Sequence, residues 1–264
     1  MSSDNFDELV IPGTFNVRDI GSRWNSSPIL PKKLLRTALL SHLTSDGQAK
    51  VEQLGVDVVI DLRSIEEINR DGVDKLPSSI DHVWLPINTT SDDDVTPDVA
   101  KVLDKVKQTE DSRIKQIHIM KTFYKKFVTV PSLRYIYGEV LDILANYNYP
   151  LFHCTAGKDR TGWVSVLCHH IAGSSKKTII EDYLLSNKTA KLLWKNMPLQ
   201  SRGDYKEQKP ALGVDMAYLQ SSFDEIDRLY GNIDNYIDDL GVSSGVISKL
   251  ASRITTENID IGKE

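Results

Sequence analysis

Short apolar runs rich in β-branched residues recur along the chain and predict the strands of a sheet. Val56–Leu62 is dominated by such residues, a composition typical of a parallel strand that is buried on both faces. Similar runs at Lys33–Leu40, His82–Ile87 and Tyr149–Phe152 predict further strands. We therefore expect a mostly parallel central sheet of roughly four or five strands.

Apolar residues at helical spacing predict helices between and after these strands. The expected helices cover residues 45–54, 64–69, 98–108, 114–129, 132–147, 176–187, 214–230, 233–240 and 243–254, and one more follows the strand at Tyr149–Phe152. Thr44 or Ser45 is the expected N-cap of the first helix, and Gly55 follows its end. This alternation predicts a three-layer α/β fold in which helices flank the sheet.

A helical stretch at approximately residues 98–147 separates two of the predicted strands. In its second helix, the residues expected to face inward are Ile114, Ile117, Met120, Tyr124 and Phe127, and those expected to face outward are Lys115, Lys121, Lys125 and Lys126. We find no internal repeat or linker in the sequence. Residues 1–264 are therefore expected to form a single domain with a helical insertion.

Composition and charge narrow the possible functions. The chain has 264 residues, of which 40% are hydrophobic and 26% charged, enough for one sizeable core. Its net charge of −5 lacks the basic footprint of nucleic-acid-binding proteins, so we expect no nucleic-acid partner. Cys154 and Cys168 are the only cysteines, which argues against a disulfide framework and fits a reducing compartment.

Targeting signals are also absent from the sequence. Residues 1–8 are polar and acidic, with no apolar stretch of the kind found in secretory signal peptides. No apolar run approaches the roughly 18 residues that a membrane-spanning helix requires. We therefore expect a cytoplasmic protein with no transmembrane segment, and export without a signal peptide stays open.

The segment Leu151–Gly162, Leu-Phe-His-Cys-Thr-Ala-Gly-Lys-Asp-Arg-Thr-Gly, carries the most specific chemical signal in the chain. A buried strand leads into a tight loop, and a helix follows near Arg160. This order of elements can direct backbone N–H groups and a helix N-terminus toward one phosphate ion. Because these backbone N–H groups and the helix N-terminus also stabilise a thiolate, we expect Cys154 to be a nucleophile with a lowered pKa.

Other residues of the segment are expected to hold the phosphate group. Arg160 presents a planar fork that can bind two phosphate oxygens at once. The expected substrate-binding residues are Thr155, Ala156, Gly157, Lys158, Thr161 and Gly162. Gly157 permits a positive φ angle, and Thr161 is expected to hydrogen-bond the Cys154 sulfur. Lys158 suits a head group with more than one phosphate, although a solvated lysine explains this position nearly as well.

The ten residues His153–Gly162 resemble the signature loop of the cysteine-dependent protein tyrosine phosphatase superfamily. The complete ten-residue sequence is most similar to the signature loop of the bacterial atypical branch, which contains tyrosine and lipid phosphatases. Companion motifs occur in the order of that family along most of the chain: Asn16–Gly21, Leu35–Ala38, Val59–Arg63 and Asp182–Asn187. A cysteine and an arginine with five residues between them are weak evidence alone, but the complete loop with these companions is specific.

The resemblance implies a three-layer protein tyrosine phosphatase-like domain and an activity on phosphotyrosine. It further implies extension to phosphoserine, phosphothreonine and phosphoinositides, so the expected partners are phosphorylated proteins or phosphoinositides, with a phosphate ion in the site. The reaction needs no cofactor and no metal. The helical insertion corresponds in position to the lid that the family carries over its site.

The expected reaction proceeds in two steps through a cysteinyl-phosphate, with Cys154 attacking phosphorus and water then releasing phosphate. The leaving alcohol needs a general acid. Asp159 is unusual in a phosphate cradle because its charge repels the substrate, and a neighbouring phosphate would keep its carboxyl protonated. Asp61, at the end of its strand, is the second candidate, although it could instead be a structural ion-pair partner of Arg63.

Two other functions compete with hydrolysis. A rhodanese-like sulfur transferase also places a cysteine in an amide cradle, but the spacing from Cys154 to Arg160 is unlike it. A non-catalytic phosphate-binding module would not require the intact cysteine, arginine and aspartate. Cys154 could also be a plain buried cysteine, which is the commoner fate of a free cysteine and the one we expect for Cys168.

Overall fold

The computed structural model describes residues 9–21, 27–88, 112–196 and 212–255. A five-stranded sheet lies at its centre. Its strands are β1 (Arg18–Asp19), β2 (Leu35–Thr37), β3 (Val58–Asp61), β4 (Asp81–Trp84) and β5 (Leu151–His153). The strand order is β1-β2-β5-β3-β4, and only β1 runs antiparallel to its neighbour. The prediction of a mostly parallel sheet is confirmed.

Helices occupy most of the remaining described chain. They are α1 (Ser45–Gln53), α2 (Ile65–Asp71), α3 (Ser112–Thr129), α4 (Pro131–Asn146), α5 (Arg160–Ile171), α6 (Lys176–Asn196), α7 (Met216–Tyr230), α8 (Ile233–Asp238) and α9 (Ser244–Thr255). These bounds lie within two residues of the predicted ones, except that α6 continues to Asn196, beyond its predicted end at residue 187. The helix predicted at residues 98–108 lies outside the described residues.

The sheet separates two hydrophobic clusters, which confirms the three-layer architecture. Leu35, Val59 and Leu151 pack on one face in a cluster that includes Val51 of α1. Ile60 and Phe152 point to the opposite face and join the larger cluster. This larger cluster contains buried side chains from α3, α4, α5, α7, α8 and α9. Alternation along β2, β3 and β5 therefore buries both faces of the central strands, as expected for parallel strands, whereas the edge strand β4 is mostly exposed.

Local signals explain several helix boundaries. Thr44 is the N-cap of α1 and accepts a hydrogen bond from Gly47 N, whereas Gly55 follows the helix with a φ angle of 79°. In α3 the prediction was wrong at two positions, because Ile114 was expected to face inward and Lys126 was expected to face outward. Ile114 is 45% exposed, and Lys126 is buried. Because α3 packs against both α4 and α7, its buried arc near the C-terminal end is wider than one stripe.

The carboxyl ends of β2, β3 and β5 meet at one edge of the sheet. Thr37 and Asp61 both stand opposite His153 in the strand register. The loop after β5 therefore emerges between the ends of its two neighbours, where ligands bind in open α/β sheets. Among the described residues, no helix is long and apolar enough to cross a membrane.

Candidate active site

The loop between β5 and α5, residues 154–159, turns its carbonyl oxygens outward. Each of these carbonyls accepts a hydrogen bond. Cys154 O accepts from His153 Nδ1, and Thr155 O accepts from Leu39 N. Asn16 Nδ2 donates to Ala156 O and, together with Arg36 Nη2, to Gly157 O. Lys158 O accepts from Arg36 Nη2, and Asp159 O accepts from Trp163 N. A peptide plane that directs its carbonyl to one side directs its N–H to the other. The loop amides therefore face inward.

The inward amides have no competing protein acceptor. Among the described contacts, the backbone N–H groups of Thr155, Ala156, Gly157 and Asp159 donate to no protein atom. Gly157 makes the curvature possible, because its φ angle is 64° and an added Cβ would lie 2.2 Å from Thr37 O. Successive free amides in such a concave loop form an anion-binding nest.

A buried ion-pair network holds the outer side of the loop. Asp182 accepts from Arg18 Nε and from Arg36 Nη1, both at 2.9 Å. Arg18 also donates to Asn16 Oδ1 at 2.7 Å, which orients the Asn16 amide toward the loop carbonyls. Burial alone would raise the pKa of Asp182, but Arg18 and Arg36 together lower it far below its ordinary range. The motifs near residues 16, 36 and 182 thus act together as the back wall of the loop.

Cys154 lies at the floor of the loop and is 2% exposed. Burial raises the pKa of its thiol, but the charge of Arg160 and hydrogen bonding with Thr161 outweigh burial and lower it. The side-chain hydroxyl of Thr161 is buried and makes no hydrogen bond of normal geometry to a described group. The hydrogen bond expected from the Thr161 hydroxyl to the Cys154 sulfur is therefore not formed, and Thr161 acts on the thiol through its backbone N–H. The arrangement favours a thiolate at Cys154.

Arg160 is the first residue of α5, and its guanidinium is held by Glu67. Nη1 and Nη2 donate to the two Glu67 carboxylate oxygens, each at 2.6 Å. Nη1 also lies 3.2 Å from Leu62 O, whereas the buried Nε has no partner among the described residues. Burial raises the pKa of Glu67, but Arg160 outweighs it and lowers the value to about 2. Glu67 therefore fixes one edge of the guanidinium and leaves the Nε edge for another anion.

Asp159 stands beside this cradle. Its Oδ1 accepts a hydrogen bond from Tyr124 of α3 at 2.8 Å, and its Oδ2 lies 3.7 Å from Lys158 Nζ. The charge of this carboxyl group acts on the Cys154 thiol, and none of its described hydrogen bonds comes from an arginine. A carboxyl group so placed can exchange a proton with a bound substrate.

A profile of the tyrosine phosphatase family matches residues 9–256. The chain belongs to the tyrosine phosphatase family. It is 29% identical to the triple specificity protein phosphatase PtpB of Mycobacterium tuberculosis, over 91% of this chain and 96% of PtpB. A crystal structure of TpbA from P. aeruginosa matches with 16% identity and a TM-score of 0.31, covering 76% of this chain and 95% of that one. So low a TM-score adds nothing to the assignment.

Family membership confirms the resemblance that the signature loop predicted. It makes this chain a tyrosine phosphatase-type enzyme, and neither a rhodanese-like sulfur transferase nor a non-catalytic binding module is favoured. Cys154 and Arg160, the two residues that the sequence predicted to carry the chemistry, lie together at the loop described above, where the charge of Arg160 acts on the Cys154 thiol.

Asp61 is a structural ion-pair partner of Arg63, which was the alternative to its role as a general acid. It is fully buried, and Arg63 donates to it from Nε and Nη2 at 2.8–3.0 Å. Arg63 also pairs with Asp74, which contacts His153 Nε2 at 2.8 Å. Burial would lower the pKa of His153, but Asp74 outweighs it and raises it. Because Asp61 is enclosed in this ion-pair cluster, we do not retain it as a candidate acid for this phosphatase.

The same cluster bears on metal binding. Asp61, Asp74 and His153 bring three possible ligand atoms within 4.8 Å of one another. The Arg63 guanidinium already lies against both carboxylates, at 2.8 and 2.9 Å. Because this positive charge occupies the space between the acids, the cluster is an ion-pair network and not a metal site.

Lys158, which was expected to offer a second cation to the substrate, is buried and bonded to the backbone of the protein. It is 8% exposed, and its Nζ donates to Gly213 O at 3.1 Å. The solvated lysine that was the alternative is therefore wrong as well. Thr161 and Gly162 are buried in the first turn of α5, and the Gly162 backbone packs close to Tyr183 and Arg36. Cys168 is fully buried and its pKa is raised by burial to about 12, as expected for a core cysteine.

Two residues of the site were missed at the level of sequence. Glu67 carries a visible local signal, because Ser64 and Glu67 have the spacing of a capping box and form one at the start of α2. That signal predicts a helix start and says nothing about Arg160. Tyr124 was placed correctly in the buried face of α3, but its contact with Asp159 joins positions 35 residues apart and leaves no trace in the local pattern.

Proposed function

We propose that this protein hydrolyses phosphomonoesters through a cysteinyl-phosphate intermediate. Cys154 is the nucleophile, Arg160 and the loop amides bind the phosphate, and Asp159 is the general acid. The observation that carries the proposal is the orientation of residues 154–159, whose carbonyls are all bonded outward around a cysteine with a lowered pKa. A nest of this kind suits a dianion held above a thiolate.

In the first step, the Cys154 sulfur attacks phosphorus while the bond to the leaving oxygen breaks. The transition state is loose, and its negative charge is spread over the equatorial phosphate oxygens. The inward amides and the Nε edge of Arg160 bind those oxygens, while Glu67 keeps the opposite edge of the guanidinium in place. Asp159 transfers its proton to the leaving oxygen, so the alcohol departs as a neutral molecule.

In the second step, water attacks the phosphorus of the cysteinyl-phosphate and the sulfur leaves as a thiolate. Asp159, now ionised, accepts the proton from this water. The features that lower the pKa of Cys154 also stabilise the departing thiolate, because they favour its charged form in both steps. Phosphate is released from the same nest, where it is expected to bind as product.

Phosphotyrosine is the substrate class that family membership supports for this enzyme. We extend the proposal to phosphoserine, phosphothreonine and phosphoinositides because the relative PtpB is named a triple specificity protein phosphatase. The buried position of Lys158 does not supply a second exposed cation for a polyphosphorylated head group. We therefore rank phosphotyrosine first.

A cytoplasmic location is proposed on the state of the cysteines. Cys154 and Cys168 are both free thiols in the structure. An unpaired nucleophilic thiolate is preserved in a reducing compartment. Recovery of active enzyme from the cytoplasmic fraction, and not from the culture medium, supports this location, and the opposite distribution refutes it.

The proposed reaction is tested by single-turnover and steady-state hydrolysis of a phosphotyrosine peptide and a phosphoinositide. Wild-type enzyme is expected to form a transient phosphoenzyme on Cys154 and to prefer the peptide. Cys154→Ser is expected to abolish turnover, and Asp159→Asn to slow it about 10²–10⁴-fold. Cys168→Ser is the matched control and should retain activity. Full turnover by Cys154→Ser would refute the mechanism.

A further inference from the structure

A chain of two buried tyrosine hydroxyls ends on the Asp159 carboxyl group. Tyr183 OH donates to Tyr124 OH at 2.8 Å, and Tyr124 OH donates to Asp159 Oδ1 at 2.8 Å. Tyr124 is 0% and Tyr183 1% exposed. The tyrosines come from α3 and α6, so two separate helices converge on one carboxyl group at the start of α5.

Asp159 is an exception among the polar helix N-caps that the structure describes. Thr44, Ser64, Asp215 and Asn232 are polar N-caps, and each side chain accepts a hydrogen bond from the first turn of its own helix. Asp159 is the N-cap of α5, but its carboxylate makes no such bond. Capping is the ordinary structural use of aspartate at this position. The carboxyl group is instead directed toward Tyr124, which indicates a different use.

The order of donors in the chain is determined by its geometry. A tyrosine hydroxyl carries one proton, so a Tyr124 hydroxyl that donates to Asp159 can only accept in its contact with Tyr183. The second acceptor near Tyr183 OH is Asp215 O at 3.4 Å, a longer contact than the 2.8 Å to Tyr124. Burial raises the pKa of both Tyr124 and Tyr183 well above the ordinary value, so both remain protonated donors while the enzyme works.

This order assigns different roles to the two carboxyl oxygens of Asp159. Oδ1 is occupied by the Tyr124 hydroxyl. Oδ2 lies 3.7 Å from Lys158 Nζ, beyond normal hydrogen-bond distance, and is therefore the oxygen that can carry a transferable proton. Cys154 and Arg160 are the other charged groups near Asp159, and neither is part of the tyrosine chain.

We propose that Tyr124 and Tyr183 are positioning residues that direct Asp159 Oδ2 toward the leaving group of the substrate. The inference rests on the proposed role of Asp159 as the general acid. As the sulfur–phosphorus bond forms and the bond from phosphorus to the leaving oxygen breaks, the proton moves from Oδ2 to that oxygen. Neither tyrosine gives up its proton, so the chain orients the acid and does not relay the proton.

The test compares two substrates whose leaving groups differ in basicity. The phenolate of phenyl phosphate needs a proton in order to leave, whereas the less basic p-nitrophenolate of p-nitrophenyl phosphate leaves readily without one. Tyr124→Phe is expected to lower kcat/KM about tenfold for phenyl phosphate and less than about twofold for p-nitrophenyl phosphate. Tyr183→Phe should act in the same direction with a smaller effect. In an Asp159→Asn background, Tyr124→Phe should have no further selective effect.

Tyr236→Phe is the matched control. Tyr236 is also fully buried, and its hydroxyl donates to Phe127 O and accepts from Trp163 Nε1, so its loss also removes a hydrogen-bonded phenol from the core. This variant should change kcat/KM for both substrates equally. Thermal unfolding of all variants shows whether Tyr124→Phe is folded; if it is not, Tyr183→Phe carries the test.

The outcomes separate the inference from the proposed function. An equal loss of kcat/KM on both substrates, as with Tyr236→Phe, assigns the tyrosines to packing alone and overturns the inference while leaving the acid role of Asp159 intact. If Asp159→Asn itself causes no selective loss on phenyl phosphate, the acid role fails and the inference fails with it. A selective loss in Tyr124→Phe that disappears in the double variant supports both.

Discussion

The two sides of the loop at residues 154–159 use polar groups in opposite ways. On the outer side, Asn16 and Arg36 bind the loop carbonyls, and Asp182 neutralises the arginines behind them. On the inner side, the backbone N–H groups of Thr155, Ala156, Gly157 and Asp159 have no partner among the described residues, and neither do the Thr161 hydroxyl and Arg160 Nε.

This difference shows how the chain prepares a site for an anion. Inward donors that are held in place before the substrate arrives need no reorganisation during the reaction, which is the main source of electrostatic catalysis. The outer side supplies the rigidity. Changes on the outer side should therefore lower stability first, and changes on the inner side should lower activity first.

The largest effect is expected on the outer side, from Asp182→Asn. This change leaves the buried Arg18 and Arg36 without their carboxylate, and breaking a buried pair in this way costs about 3–5 kcal/mol. Chemical denaturation measures the loss in the free energy of unfolding. The control is Asp234→Asn, whose carboxylate is 76% exposed and pairs with His170; its effect should be under about 0.5 kcal/mol. Equal effects of the two changes would contradict the proposed importance of the outer network.

On the inner side, Arg160→Lys should lower activity without a comparable loss of stability. Lysine keeps the charge but cannot bind Glu67 and two phosphate oxygens at once, and losing one oriented donor costs about 10²–10³-fold in rate. Steady-state kinetics on a phosphotyrosine peptide measures the change. Arg228→Lys, at a 62% exposed side chain, serves as the control and should be near wild type. Wild-type activity in Arg160→Lys would contradict the proposal that the Arg160 guanidinium binds the phosphate.

Gly157 takes part in both the outer and the inner side of the loop, so Gly157→Ala is expected to affect stability and activity together. The new Cβ would lie 2.2 Å from Thr37 O at a φ angle of 64°, so we expect a loss of stability of about 1–3 kcal/mol together with loss of activity. Gly173→Ala is a matched control with a φ angle of 76° and no atom near the added Cβ. It isolates the φ effect, and its loss of stability should be the smaller one in thermal unfolding. A larger loss in Gly173→Ala would contradict the close approach.

The smallest effect is expected from Glu67→Gln, and it appears in the pH dependence of stability. Glu67 has a pKa of about 2 in the folded protein against an ordinary value of 4.5. Its ionised form therefore stabilises the fold above pH 4.5, and this contribution is lost as the pH falls from 4.5 toward 2. Denaturation as a function of pH should show a shallower decline in Glu67→Gln across this window. An identical decline in both proteins would contradict the Glu67–Arg160 pair.

The features that could be predicted from sequence are those that depend on neighbouring residues. Strand, loop and helix at Leu151–Gly162 follow from local pattern, as do the boundaries of α1 at Thr44 and Gly55. The short strand β1 was missed because a two-residue strand is defined by its pairing with β2 and not by its own composition.

Features that depend on distant partners were predicted poorly. Asp61 and Asp159 are both acidic residues near the carboxyl edge of the sheet. The sequence offered Arg63 as a partner of Asp61, but it did not show that Asp74 joins this pair. Lys158 was expected either to bind a second phosphate or to be solvated, yet the backbone of Gly213 lies close enough to accept from its ammonium group. In both cases the deciding contact joins elements whose approach is set by the whole fold.

The central claim is that Cys154 is a thiolate stabilised by the inward side of the loop. The direct measurement is the pH titration of ultraviolet thiolate absorbance, taken as the difference between wild type and Cys154→Ser. We expect the thiolate to form below the ordinary thiol pKa of 9.0 and its midpoint to rise in Arg160→Met, which removes the positive charge. A midpoint at or above 9.0 that does not respond to Arg160 would contradict the account.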